Sequence, residues 1–449
     1  MVTRVILVRH GESSFNVERR VQGYTDESTL TEAGRSAACQ VGEALSELRF
    51  DSVYSSPLRR AKDTAEIVLS CLKNQPVQPV QTLDNLKEIN LALWEGLLFK
   101  VIEEKYPEEY GCWQDHPHQL RMVVPGPDGP MDYFPVLELY ERAKRFWQEF
   151  LPNHAGQTVL LIAHSGINRA LISTAIGLEP DRYQAVHQSN CGISVLNFAG
   201  VWGDLVQIES LNQTTHLGEP LPHIKKGYHG PRLLLVRHGE TDWNRQKRFQ
   251  GQIDVPLNDT GRVQSQQATE FLKSVPIHYA VSSPMLRPKE TAEIILKDHP
   301  DVLLELEDNL QEISHGLWEG KLEAEIEQDF PGELHQWQRS PETVQMPEGE
   351  NLQQVWARAI AAWDAIVQSA TSRPETGTTL VVAHDAINKA ILCYVLGLEP
   401  EHFWSFKQGN GAVSVIDYQG ANSQPVLTAM NITAHLDGGV LDTTAAGAL

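Results

Sequence analysis

The tripeptide Arg-His-Gly occurs twice, at Arg9-His10-Gly11 and Arg237-His238-Gly239, and both copies close an apolar run. The runs, Val5-Ile-Leu-Val8 and Leu233-Leu-Leu-Val236, read as buried parallel strands. Open α/β sheets place ligands at the carboxyl edge of such strands. A histidine there, next to an arginine, is a nucleophile candidate with an anion partner beside it. Each copy is followed at one offset by Asn (Asn16, Asn244) and then by Gln-Gly (Gln22-Gly23, Gln250-Gly251). Agreement at so many positions means an internal duplication.

The two halves align almost end to end. Thr31 matches Asn258, both helix N-cap residues. Ser55-Ser56-Pro57 with Arg60 matches Ser282-Ser283-Pro284 with Arg287, a strand running into a helix with Ser at the cap and Pro in the first turn. Glu88 and Trp94 match Glu312 and Trp318. A second strand ends at His164 in one half and at His384 in the other. Near the ends, Asn212 and His216 match Asn431 and His435. The offset between matched residues shrinks along the chain, so the amino-terminal half carries extra residues, expected in loops. Strands alternating with helical patterns give an α/β fold of two domains, each a mostly parallel sheet flanked by helices. The expected bounds are 1–220 and 232–436, with a Pro- and Gly-rich linker at 221–231 and a flexible tail at 437–449.

Composition narrows the partners. With 449 residues and a formal charge of −21, the chain lacks the basic surface that nucleic acid or an anionic membrane requires. No window is long and apolar enough to span a bilayer. The five cysteines form an odd, scattered set, which points to reduced thiols and a cytoplasmic setting and away from disulfides or a thiolate metal site. His116 and His118 lack further ligands at a metal-site spacing, and Asp26-Glu27 reads as a solvated face. A homodimer is left open.

Each half supplies a set for phosphate chemistry. Arg9, Arg60 and His164, or Arg237, Arg287 and His384, can surround a doubly charged anion, since arginine forks match phosphate oxygens. His10 or His238 can then attack phosphorus as neutral imidazole. Glu88 or Glu312 can protonate the leaving alkoxide and later activate water. The positive charge already present takes the part that Mg²⁺ plays elsewhere, so no metal or cofactor is called for. Any one of these histidines alone reads better as a core residue; the repeated pattern with Arg and Glu does not. No Cys-x5-Arg, Gly-Lys-Ser/Thr or Asp-x-Asp-x-Thr pattern occurs, which removes other phosphate chemistries.

With these motifs in view, both halves resemble the histidine phosphatase superfamily, the phosphoglycerate mutase-like fold. The resemblance implies nucleophiles His10 and His238, acids Glu88 and Glu312, second histidines His164 and His384, and phosphate arginines Arg9, Arg60, Arg237 and Arg287. Asn16, Gln22, Gly23, Asn244, Gln250 and Gly251 are implied to line the substrate. The carboxyl-terminal half is similar to metal-independent phosphoserine phosphatases, in which the terminal histidine holds a substrate carboxylate, so His435 is expected in that role, and His216, its match in the first half, is a candidate for substrate contact there. The amino-terminal half is similar to 2-carboxy-arabinitol-1-phosphate phosphatases, also tandem proteins. The expected activity is metal-independent hydrolysis of small phosphorylated carboxylates, phosphoserine first. The alternatives are a sugar-acid phosphatase, a mutase side reaction, or a sensing module with one inactive half. Three departures bear on the rims: Ser165-Gly166 and Asp385-Ala386 replace the family's Gly-Gly, Ala92 stands where Gly316 does, and Phe134 where Glu350 does. Asp385 is expected to repel a phosphate dianion unless it points away.

Overall fold

The computed structural model describes the chain except residues 1, 74–78, 127–128, 225–226, 374–376, 421–422, 438 and 446–449. The chain divides into two compact units, residues 1–208 with 212–219, and residues 209–211 with 220–449.

In the N-terminal unit, Thr3–Arg9 pairs in parallel with Thr158–Ala163, which pairs with Ser52–Ser55 and then with Gln81–Thr82. Ile193–Phe198 runs antiparallel on the other side of Thr3–Arg9, followed by Val206–Gln213. The C-terminal unit repeats the order. Arg232–Arg237, Thr378–Ala383, Ile277–Ser282 and Leu304–Leu306 are parallel, and Val413–Tyr418 and Pro425–Ile432 are antiparallel. Val5 to Val8 and Leu233 to Val236 are all 0% exposed, as strands covered on both faces must be.

Register brings the chemistry together. Arg9 faces Ala163 and Arg237 faces Ala383, so the next residues, His10 with His164 and His238 with His384, leave adjacent strand ends side by side. Gly11 follows because the chain turns hard against the helix Glu32–Ala44. A Cβ on Gly11 would stand 2.5 Å from the Gly34 carbonyl oxygen, and one on Gly239 would stand 2.4 Å from that of Gly261. Thr31 and Asn258 cap these helices, accepting from Gly34 and Gly261 N–H.

Four expectations change. Ser55-Ser56-Pro57 precedes the helix Arg59–Cys71 and does not cap it. The Asp26 carboxylate accepts from Arg59 N–H at 2.6 Å, and Asp254 from Leu286 N–H at 2.8 Å, so a residue read as a merely solvated charge closes the helix start. Cys39 and Cys71 form a disulfide, with Cα atoms 5.4 Å apart, because two helices that pack together bring distant cysteines into reach. The reduced-thiol argument for a cytoplasmic setting therefore loses its ground. The extra residues of the first half include a hairpin, Met122–Gly126 with Gly129–Tyr133, in place of a plain loop.

The tail is also less loose than expected. Asp442 is buried, accepts from Thr444 N–H, and presents its carbonyl to Lys407 Nζ; Thr444 Oγ1 accepts from Asn410 N–H. Residues 446–449 lie outside the described set. In the linker, 225–226 lie outside it too, while Leu221 joins the apolar core of the second unit. Among the described residues no helix is long and apolar enough to cross a membrane.

Candidate active site

In the N-terminal unit His10 is 1% exposed, and its Nδ1 lies 2.7 Å from the Gly11 carbonyl oxygen. A carbonyl only accepts, so Nδ1 carries the proton and Nε2 keeps its lone pair. Burial, then the charges of Arg60 and Arg9, hold the ring well below the ordinary 6.5, and it is neutral at pH 7. His164 packs edge-on against it, ring centroids 5.1 Å apart. Its Nε2 lies 2.8 Å from Ser56 Oγ, which accepts from Leu58 N–H and so has its own proton to give. That leaves His164 Nδ1–H as a donor.

The arginines are fixed by main-chain carbonyls. Arg9 Nη1 donates to Gln188 O at 2.8 Å, and Arg60 donates to Thr25 O and Gly23 O at 2.9 Å each. Burial pushes Arg9 down to about 10, still charged at neutral pH. Arg9 Nε, Arg60 Nε and His164 Nδ1 are buried donors without a hydrogen-bond partner. Three such donors around an unprotonated imidazole nitrogen ask for an anion, because buried polar groups are otherwise paired.

The C-terminal unit repeats this geometry. His238 Nδ1 lies 2.7 Å from Gly239 O, and its ring centroid 5.2 Å from that of His384. His384 Nε2 meets Ser283 Oγ at 2.9 Å. Arg237 reaches Gln408 O, while Arg287 donates to Gly251 O and Ile253 O. Burial and then the Arg287 charge keep both histidines well below 6.5. Arg287 Nε donates to His238 Nε2 at 3.2 Å, while Arg237 Nε and His384 Nδ1 are unpartnered.

The carboxyl groups differ. Glu88 accepts from the N–H groups of Ile89, Gly166 and Ile167, whereas Glu312 accepts from Ile313 N–H. Burial, then the Asp385 charge, raise Glu312 above the usual carboxylate range. Asp385 itself is buried with Lys389 Nζ at 2.9 Å and Arg237 Nη1 at 3.8 Å. Its carboxylate is thus paired with two cations inside the protein.

Other residues named from the sequence act one step back. Gly23 and Gly251 supply the carbonyls that hold Arg60 and Arg287. The side-chain oxygen of Asn16 accepts from Ser13 and Asn190, and that of Gln22 from Ser13 Oγ; Asn244 and Gln250 repeat this with Thr241 and Asn410. His216 and His435 each meet a main-chain carbonyl. His216 Nε2 meets Cys191 O at 3.0 Å, and burial pushes the ring down to about 4. His435 Nε2 meets Gly411 O at 3.1 Å and stacks on Phe271, centroids 4.5 Å apart. Glu350 accepts from Ser314 N–H and grips Arg358, which donates to the Glu312 carbonyl, so this position braces the acid loop. Arg142 does the same behind Glu88.

The sequence did not single out as site residues Ser56 and Ser283, which meet the second histidines, or Arg142 and Arg358, which hold the Glu88 and Glu312 carbonyls. Their repetition at matched positions was the available signal. Thr64 and Thr291, which accept from Gly11 and Gly239 N–H, carry the same signal.

The family model described as histidine phosphatase superfamily (branch 1) matches residues 5–211 and again 233–433. A 2-carboxy-D-arabinitol-1-phosphatase of Triticum aestivum is 30% identical, over 96% of this chain and 86% of its own. A probable 2-carboxy-D-arabinitol-1-phosphatase of Arabidopsis thaliana is 31% identical, over 96% and 88%. Phosphoserine phosphatase 1 of Hydrogenobacter thermophilus is 32% identical over 46% of this chain and 94% of its own.

Proposed function

Because the chain belongs to the histidine phosphatase superfamily, branch 1, as two tandem domains of one phosphoric monoester hydrolase, we propose that it hydrolyses small phosphorylated carboxylates through a phosphohistidine at His10 and at His238. The observation that carries this reading is the neutral imidazole, its Nε2 lone pair kept by the Nδ1–H bond to the next carbonyl, among buried donors that lack partners.

In each unit Nε2 attacks phosphorus as the bond to the leaving oxygen breaks. Glu88 or Glu312 gives its proton to that oxygen. The two arginines and the second histidine hold the equatorial oxygens, stabilising charge where it accumulates. Water then attacks the phosphohistidine, the carboxylate takes its proton, and phosphate leaves with the histidine neutral again. Asn16 and Gln22, with Asn244 and Gln250, turn amide NH₂ groups to the bound anion in this scheme.

Phosphoserine is one substrate reading, in keeping with the phosphoserine phosphatase that matches half of the chain. A second, 2-carboxy-D-arabinitol 1-phosphate, draws support from the two relatives named for it, which align with both halves together. Both molecules are phosphomonoesters that also bear a carboxylate. Phosphate release from each, and from a carboxylate-free alkyl phosphate of similar size, tests the proposal. Higher kcat/KM for either acid supports it. Fastest turnover of the carboxylate-free ester contradicts the substrate class.

A further inference from the structure

Glu88 and Glu312 occupy matched positions and are held in different ways. Glu88 lies on the first turn of the helix Ser165–Ala175, with Oε1 accepting from Gly166 N–H at 2.9 Å, Ile167 N–H at 3.2 Å and Ile89 N–H at 2.8 Å. A Cβ at Gly166 would stand 2.4 Å from that oxygen and 2.8 Å from the Tyr183 hydroxyl. Glycine alone leaves this seat open. The C-terminal unit has Ala386 at this position, and Phe403 in place of Tyr183. There the Glu312 carboxyl keeps the Ile313 N–H bond, at 3.1 Å, and lacks the two from the helix.

We propose that the residue two places after the second histidine is a positioning residue for proton transfer: Gly166 docks Glu88 on the helix N terminus, and the Ala386 methyl keeps Glu312 off it, so that Glu312 waits as the carboxylic acid. This rests on the reading of both glutamates as proton donors. A carboxylate on helix N–H groups is stabilised by the helix dipole and by charge-assisted bonds. A carboxyl group without them, and fully buried, favours its neutral form.

The surroundings act in the same direction in the second unit. Asp385, from the helix Asp385–Leu396, faces Glu312 and disfavours a second negative charge; Lys389 offsets part of this by pairing with Asp385. Arg287 and Arg237 oppose, as does Ile313 N–H. Arg358, from the helix Leu352–Thr371, binds the Glu312 main-chain carbonyl. His238 and His384 are neutral and add no charge. The first unit has uncharged Ser165 in place of Asp385. In the phosphoryl-transfer step the proton passes from the Glu312 O–H to the leaving alkoxide as the Nε2–P bond forms, so the second unit is set up for poor, alkyl leaving groups.

The test uses the full chain. His10→Ala leaves only the second unit with its nucleophile. In that background kcat/KM is measured against pH with and without Ala386→Gly, on β-glycerophosphate (alkyl leaving group) and p-nitrophenyl phosphate (which needs no proton to leave). Ala386→Gly is expected to move the alkaline limb down by about one pH unit for the alkyl ester, because Glu312 gains helix N–H bonds, and to leave the aryl ester unchanged. The reciprocal Gly166→Ala, in a His238→Ala background, is expected to move the alkaline limb of the first unit up for the alkyl ester, because Glu88 loses helix N–H bonds, and to leave the aryl ester unchanged. A limb that Ala386→Gly leaves in place, or moves equally for both esters, overturns the proposal, whether or not Gly166→Ala folds. Glu312→Gln in the first background separates the two readings. No loss on the alkyl ester means that Glu312 is not the donor, and both fall. A loss of roughly a hundredfold beside an unmoved limb keeps the donor and removes only the role of position 386.

Discussion

Arg287 Nε donates to His238 Nε2 across 3.2 Å, while Nδ1 of the same ring gives its proton to the Gly239 carbonyl. A cation can donate to that nitrogen only if the nitrogen is unprotonated. The arginine that is proposed to hold phosphate thus also disfavours protonation of the proposed nucleophile at Nε2.

The first prediction is a pH–rate profile without a histidine limb at its usual place. His10 and His238 are both held well below 6.5, chiefly by burial and then by their arginines. A lowered value keeps the ring neutral as pH falls, so kcat/KM for a fixed ionisation state of substrate should stay level through pH 6.5 and decline only well below it. A nucleophile that titrates near 6.5 would contradict the buried, arginine-flanked environment.

Ser56→Ala and Ser283→Ala should lower kcat by about tenfold each in their own unit, with KM little changed. The lost hydrogen bond to His164 or His384 is worth about 1–1.5 kcal/mol, and its loss lets the ring leave the tautomer that presents Nδ1–H. Single-unit backgrounds, with the other nucleophile replaced, give the measurement. Equal increases in KM would instead mean that the serines act in ground-state binding.

His435→Ala should lower thermal stability and reduce turnover of a carboxylate-bearing ester and a carboxylate-free ester in equal measure. The ring is tied to the Gly411 carbonyl and stacked on Phe271, which supports a part in holding the loop that bears Asn410. A selective rise in KM for the carboxylate-bearing ester would instead place the ring on the substrate carboxylate.

Much of this was legible in the sequence, and the parts that were not share a cause. The strand ends at His10 and His164 could be read because an apolar run before each histidine fixes a buried parallel strand, and register then sets the pair side by side. The duplication separated Arg60 and Glu88 from the many other charged residues. Side-chain partners set by tertiary packing were not readable. Ser56 looks like a helix cap until the chain folds His164 over it, and Asp26 looks solvated until the Arg59 N–H reaches it. Cys39 and Cys71 looked unrelated until their helices packed. Asp385 looked hostile to phosphate because its partner Lys389, one helical turn on, is a neutraliser only once both are buried.

Folding stability should fall as pH drops below 6.5. His315 is buried and pushed down to about 3, chiefly by burial, and His216 to about 4. These rings stay neutral in the folded chain, while the unfolded chain takes up protons below its ordinary 6.5. The unfolded state therefore binds more protons, and stability present above 6.5 is lost as pH falls toward the folded values, by at most about 1.4 kcal/mol per pH unit for each such ring. Denaturant unfolding between pH 7 and 5 reads this out. His315→Phe should flatten the slope, and an unchanged slope would mean that other groups cause it.

The measurement that bears most directly on the central claim is the stability of the phosphoenzyme bond. Enzyme quenched during turnover of a radiolabelled phosphomonoester should carry label that survives alkali and is released by acid, as a phosphoramidate does. Half-site variants His10→Ala and His238→Ala should each keep label on the remaining histidine, and the double variant should carry none. Label that survives acid and is lost in alkali, or label on the double variant, would contradict nucleophilic catalysis by His10 and His238.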